Sequence, residues 1–136
     1  MIGDFMLTQE QIDDICENLG GGFHFLWSDI GNAHALPDGE VDPDSFEERK
    51  NDFFFLVGKL LDDERLKICN TKGEFINGTT EELVEMFRSS FPASDEQIDI
   101  EGAPGLWFVL KNACPFLAVW VFKGEGENGE DYYEWT

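Results

Sequence analysis

Phe46-Glu47-Glu48-Arg49-Lys50-Asn51-Asp52-Phe53-Phe54-Phe55-Leu56-Val57-Gly58-Lys59-Leu60-Leu61-Asp62-Asp63-Glu64-Arg65-Leu66-Lys67-Ile68-Cys69 (residues 46–69) changes its hydrophobic period partway, and that change decides the fold. Phe46, Phe53, Val57, Leu60 and Leu61 recur at helical spacing along one face, and Phe54 and Leu56 widen it. Asp42-Pro43 or Asp44 ahead of Glu47 supplies a start signal, since proline is tolerated in a first helical turn. Beyond Asp62 and Asp63 the residues Leu66-Lys67-Ile68-Cys69 alternate instead, which is the period of a strand. Two carboxylates closing a helix oppose its dipole. Their presence there implies work outside the helix.

Working towards the N-terminus, Thr8 with Gln11 has the form of a capping box. Ile12, Ile15, Cys16 and Leu19 then trace one apolar helical face, and Gly20-Gly21-Gly22 stops it. Phe23, Leu26, Trp27 and Ile30 repeat the spacing and predict a second, short helix ending near Gly31. A polar stretch with Pro37, Gly39 and Pro43 leads into the long helix.

Towards the C-terminus, Asn70-Thr71-Lys72-Gly73 is turn-like and Glu74-Phe75-Ile76 resumes alternation, which predicts a β-hairpin. Thr79 with Glu82 opens another helix, with Leu83, Val84, Met86 and Phe87 apolar, and Phe91-Pro92 ends it. Residues 93–105 read as an acidic loop. The apolar runs Leu106 to Leu110 and Phe116 to Phe122 lack clean alternation and are expected to be central strands covered on both faces. Tyr132-Tyr133-Glu134-Trp135 is expected to form a last strand. The expected fold is one globular α+β domain over residues 1–136: N-terminal helices, then a mostly antiparallel sheet of about five strands with one inserted helix.

Charge sets the functional classes. The chain carries 29 acidic residues against nine Lys and Arg, a net charge of −20, in 136 residues. So negative a surface repels nucleic-acid phosphates, and direct nucleic-acid binding is not expected. A hydrophobic content of 42% with 13 Phe argues against disorder. The run Phe116 to Phe122 is too short to cross a bilayer, and the first residues lack the basic and apolar regions of a secretory signal. Cys16, Cys69 and Cys114, odd in number and widely spaced, read as free thiols in a reducing, cytoplasmic setting with no membrane partner.

The search for chemistry returns no active site. His24 and His34 are the sole imidazoles, and no Cys or His pair has zinc spacing. The stretch Asp38 to Asp44 superficially resembles a calcium loop, but glycine falls second instead of sixth and proline interrupts the ligand alternation. No nucleophile elbow surrounds any cysteine, and Gly20-Gly21-Gly22 is not followed by the Lys-Ser/Thr of a phosphate loop. No catalytic, cofactor or metal residue is assigned, and an enzyme is not expected.

Surface recognition has better support. Asp38, Glu40, Asp42, Asp44, Glu47 and Glu48 form one base-free patch; Asp95, Glu96, Asp99 and Glu101 form a second. Glu125, Glu127, Glu130, Asp131 and Glu134 form a third, interleaved with Tyr132, Tyr133 and Trp135. Tyr and Trp beside charge are interface anchors. The residues expected to meet a partner are therefore Asp38, Glu40, Asp42, Asp44, Glu47, Glu48, Glu125, Glu127, Glu130, Asp131, Tyr132 and Trp135.

The order of motifs from Phe46 onward carries a resemblance. A helix led by Phe46-Glu47-Glu48-Arg49 and ending in Lys59-Leu60-Leu61 precedes a hairpin closing on Phe75-Ile76-Asn77-Gly78. Then come Glu81-Glu82-Leu83-Val84-Glu85-Met86-Phe87-Arg88, Phe91-Pro92, Cys114-Pro115, Ala118-Val119-Trp120-Val121 and Tyr133-Glu134-Trp135. This resembles a family of small, acidic, uncharacterised bacterial proteins, some of which look like immunity proteins of contact-dependent growth inhibition and related polymorphic toxin systems. The resemblance covers about the last two-thirds of the chain and rests on structural motifs, so it carries over no functional residue. It implies an immunity protein that binds a cognate basic toxin domain, a nuclease above all, and occludes its active site or an adjacent surface. The alternative is a small, non-enzymatic acidic module for a metal ion or small ligand.

Overall fold

The 46–69 stretch folds as read, with a 3-10 turn at Pro43–Ser45, a helix over Phe46–Asp62 and a strand over Leu66–Cys69. The computed structural model describes residues 7–17, 19–34, 37–39, 43–103, 105–110 and 113–136. In chain order the elements are α1 (Gln9–Glu17), α2 (Phe23–Ala33), α3 (Phe46–Asp62), β1 (Leu66–Cys69), α4 (Thr80–Ser90), α5 (Asp95–Ile98), α6 (Leu106–Val109), β2 (Leu117–Phe122) and β3 (Tyr132–Trp135). The class is α+β, with three helices before the first strand.

Local chemistry sets the boundaries. In the first capping box, Gln11 N donates to Thr8 Oγ1 at 3.1 Å and Thr8 N donates to Gln11 Oε1 at 2.9 Å. In the second, Glu82 N donates to Thr79 Oγ1 at 3.1 Å and Thr79 N donates to Glu82 Oε1 at 2.8 Å. Of the two acids that close α3, Asp62 works outside the helix as its awkward placement implies, and Asp63 works within it. Thr80 Oγ1 donates to Asp62 Oδ1 at 2.7 Å, tying the end of α3 to the start of α4, while Asp63 pairs with Lys59 at 3.5 Å.

The sheet is antiparallel in the order β1-β2-β3. Leu66 pairs with Trp120 and Ile68 with Ala118, and these four are buried against the helices. The strand β2 is central, and Ala118, Val119, Trp120 and Val121 are buried in succession, as expected of a strand covered on both faces. The core is aromatic. Phe53 and Phe87 are fully buried with centroids 5.5 Å apart at 86°, and Phe23 meets Phe87 at 5.0 Å. Such edge-to-face pairs contribute about 0.5–1.5 kcal/mol each beyond their burial.

Two expectations are corrected. The described residues form three strands, not about five. The run Leu106 to Leu110 holds the one-turn helix α6 over Leu106–Val109, entered through Gly105 at φ +70° and left through the extended Leu110. The reason is packing: Trp107 and Phe108, adjacent in sequence, both turn inward onto Phe91 at 5.4 and 5.9 Å. A strand would send them to opposite faces. The arm Glu74-Phe75-Ile76 is the other shortfall. It makes an isolated bridge, Cys69 to Phe75, with Ile76 N donating to Ile68 O at 2.9 Å. The acidic 93–105 region holds α5, capped by Ser94, and a 3-10 turn at Ile100–Gly102.

Candidate interaction surface

Register places the candidate interface residues on the sheet. Val119 pairs with Trp135 and Val121 with Tyr133, and Lys67 pairs with Val119. Alternation puts these five side chains on the face turned away from the helices. Phe75, held beside Cys69 by the bridge, completes the group. Its ring stacks on Trp135 with centroids 5.1 Å apart at 29° and meets Tyr133 edge-on at 6.4 Å, and Lys67 Nζ lies 5.6 Å from its centroid. The three rings seal Val119 and Val121, at 0% and 6% exposure, while remaining 41%, 38% and 50% exposed themselves. The result is a preformed aromatic surface over a dry base. The loop carrying Phe75 is fixed by Asn70, whose Oδ1 accepts from Lys72 N and Glu74 N at 2.9 and 3.0 Å.

An acidic turn adjoins it. Between β2 and β3 the chain reverses through Asn128 at φ +61° and Gly129 at φ +79°, with Gly126 N donating to Glu130 O at 2.7 Å and Gly124 N to Asp131 Oδ1 at 3.2 Å. This geometry displays Glu125, Glu127, Glu130 and Asp131 to solvent. Among the described residues, none of the four forms a salt bridge. Tyr132 is 52% exposed and its ring meets Phe122 at 6.2 Å, on the opposite side of the strand from Tyr133.

Glu134 separates from this patch. Its Oε1 accepts from Gly21 N at 2.9 Å, while its register partner Trp120 donates its indole N–H to Gly21 O at 2.6 Å. The paired residues grip both polar groups of one glycine at the α1–α2 joint. Gly21 sits at φ +69°, and an added Cβ there would lie 2.4 Å from the Phe25 ring. Glu134 therefore fastens the sheet to the helices.

The remaining predicted residues gather elsewhere. Asp38, Asp44 and Glu47 are exposed and Glu48 is half-buried, whereas Glu40 and Asp42 lie outside the described residues. Asp95 of the second patch joins this end through a bidentate bond from Arg49, at 2.8 and 2.6 Å. The β2–β3 turn lies towards the other end of α3, where Lys123 at its root bonds Glu64 at 3.2 Å. A 17-residue helix spans about 25 Å. The first and third patches are thus two surfaces, not one. The reading from sequence missed Phe75, whose signal was its place opposite Cys69 in the predicted hairpin.

Titratable groups and cavities complete the picture. A groove of about 450 Å³ under α2 is lined by His24, Phe25, Trp27, Arg49, Asp95 and Asp99, among others. Arg49 is buried, donates through Nε to Ser45 Oγ at 2.8 Å, and lies 5.3 and 5.7 Å from the Trp27 and Phe46 rings. His24 Nδ1 is buried without a partner among the described residues, and burial pushes the His24 pKa down. Burial pushes all three thiols up, Cys114 to about 11, so each is a neutral thiol near neutral pH. Among the described residues no cluster of three or more His, Cys, Asp or Glu is arranged to hold a metal ion, and no helix is long and apolar enough to cross a membrane.

Comparison with known proteins gives kinship and no activity. Residues 61–136 match the model of the family described as protein of unknown function, DUF596, and the chain belongs to that family. The chain is similar to a solved structure of an uncharacterized protein conserved in bacteria from Neisseria meningitidis. Identity is 30%, the TM-score is 0.63, and the match covers 91% of this chain and 87% of that one. No curated protein matches. The matched family region holds all three strands and the acidic turn between the last two.

Proposed function

We propose that this DUF596 member is a non-catalytic, immunity-type protein of the cytoplasm that binds a basic toxin domain and covers its active site or an adjoining surface. A nuclease is the class of toxin that fits best, because a cleft built for phosphates carries the matching positive charge. The observation that carries the reading is the juxtaposition of an exposed aromatic surface, Phe75, Tyr133 and Trp135, with an acidic turn free of salt bridges among the described residues. Aromatics in that setting anchor interfaces, and the acids accelerate encounter, to about 10⁸–10⁹ M⁻¹s⁻¹ at low salt in steered pairs. The neutral thiols are consistent with a protein that needs no nucleophile.

Co-expression with any candidate toxin domain that a neighbouring gene encodes is the test. Growth rescue and a complex that survives size exclusion are expected, and Glu125→Lys with Glu127→Lys should slow association about tenfold at low salt. Persistent killing with no complex refutes the reading. A second reading, a small-ligand module, draws on the groove under α2 with its unpartnered His24 Nδ1. Ligand-dependent shifts of the His24 ring resonances, with growth rescue absent, would favour it.

A further inference from the structure

We infer that β3 is a docking strand: a lysine- or arginine-bearing extended segment of the partner adds to it, backbone to backbone, as a fourth strand of the sheet. This rests on the basic-partner reading and goes further, naming the element and the binding mode. The two sheet edges are treated differently. The β1 edge is closed by the bridge to Phe75, with Asn70 N donating to Glu74 O at 2.8 Å and Ile76 N to Ile68 O at 2.9 Å. The β3 edge pairs with no further strand among the described residues. Its register against β2 is unbroken over four pairs, so no bulge turns it away, and it contains neither Pro nor Lys. Bulges, Pro and Lys are three of the devices that protect an edge from pairing; β3 is short and carries one inward acid, Glu134, which is held by Gly21 N.

The side chains specify the occupant. A strand added beyond β3 would lie about 4.8 Å from it, with alternate residues beside Tyr133 and Trp135 on the outer face. Exposed aromatic faces attract Lys and Arg. Glu125, Glu127, Glu130 and Asp131 stand at the Tyr132 end of the strand and present further negative charge to a basic segment. A second copy of the chain is disfavoured by the same charges, since each copy brings a net −20 and its own acidic turn to the junction.

The test uses the intact protein at low salt with a capped octapeptide alternating lysine and valine, and with the same peptide N-methylated at every internal amide. The first peptide should bind, slow hydrogen exchange at the outward β3 amides and perturb Trp135 fluorescence. The methylated peptide keeps the charge but not the backbone donors, and should bind at least tenfold more weakly. Tyr133→Ala with Trp135→Ala should weaken the first peptide at least fivefold, with the circular dichroism spectrum checking that the fold persists. Equal affinity of the two peptides, or protection appearing at the start of α3 instead, overturns the docking strand while leaving the basic-partner reading intact. Failure of both peptides to bind overturns it too, and growth rescue then judges that reading separately. Concentration-dependent protection of β3 without peptide would identify a second copy as the occupant and refute the inference.

Discussion

Removing the carboxylate of Glu134 should loosen the sheet from the helices by a calculable amount. The half-buried Glu134 accepts a charge-assisted bond from Gly21 N at 2.9 Å, a type worth about 1.5–3 kcal/mol. Partial exposure places it at the lower end, about 1.5 kcal/mol. For 136 residues the melting entropy is about 0.3 kcal/mol/K, so Glu134→Ala should lower Tm by about 5 °C. Trp120→Phe leaves Gly21 O without its donor and thins a fully buried site, at a cost of about 2–3 kcal/mol. Because both groups hold one residue, through its two adjoining peptide units, releasing it once forfeits part of the second bond. The double variant should therefore cost at least about 0.5 kcal/mol less than the singles combined. Thermal melts and urea titrations of the four proteins measure this, with Glu130→Ala, an exposed acid without a salt bridge among the described residues, as control. Additive losses, or a Glu134→Ala midpoint within 1 °C of the parent, would refute the idea of a shared grip on Gly21.

Three other predictions concern charges and thiols. Asp52, at 0% exposure, bonds His34 from the middle of α3. Asp52→Ala should cost about 3–5 kcal/mol and lower Tm by roughly 10 °C or more, whereas Asp52→Asn should cost less in the same calorimetry. The Cys114 pKa is raised from 9.0 to about 11 in the folded state by burial, so the stabilisation from its neutral thiol is complete below pH 9 and lost between pH 9 and 11. Urea midpoints should fall over that window by the equivalent of roughly 2–3 kcal/mol, and Cys114→Ala should remove most of the decline. Changing Glu125, Glu127 and Glu130 together to Gln should raise Tm by about 1–3 °C through reduced self-repulsion while slowing association with a basic partner. A fall in Tm would show that the turn's charges are compensated.

What the sequence disclosed tracks how local the responsible physics is. Both capping boxes, the helical faces from Phe46 to Leu61 and the alternation of Leu66 to Cys69 depend on neighbours within a few residues, and they are all present in the structure. Leu106 to Leu110 was illegible because its conformation is decided by Phe91, distant in sequence, which needs both Trp107 and Phe108 on one side. The same holds for Glu134. Its neighbours in the chain are surface acids and aromatics, and only the pairing with Trp120 reveals its bond to Gly21. Phe75 likewise acquires its role from Trp135, sixty residues away.

The distribution of positive charge gives the acidic composition its meaning. All three arginines are committed within the fold. Arg49 holds Asp95, Arg65 donates to Cys16 O at 2.9 Å, and Arg88 lies 4.7 Å from the Phe54 ring while bonding Asn51. Among the lysines, Lys59 holds Asp63 and Lys123 holds Glu64. Cations placed this way serve packing and helix ends, and leave few to balance the acids at the surface. Several acids are also structural: Asp52, Asp62, Glu82 and Glu134 each bond a specific group. The β2–β3 turn is different in kind, because its acids are displayed by backbone reversals at Asn128 and Gly129 and hold no cation in the described structure. Self-repulsion there opposes folding, and against it stands one backbone bond, from Gly124 N to Asp131 Oδ1, with no cation among the described residues. A charge arrangement that opposes the folding of the free protein, set beside an exposed aromatic strand, supports the proposal of a positively charged partner that would relieve it on binding.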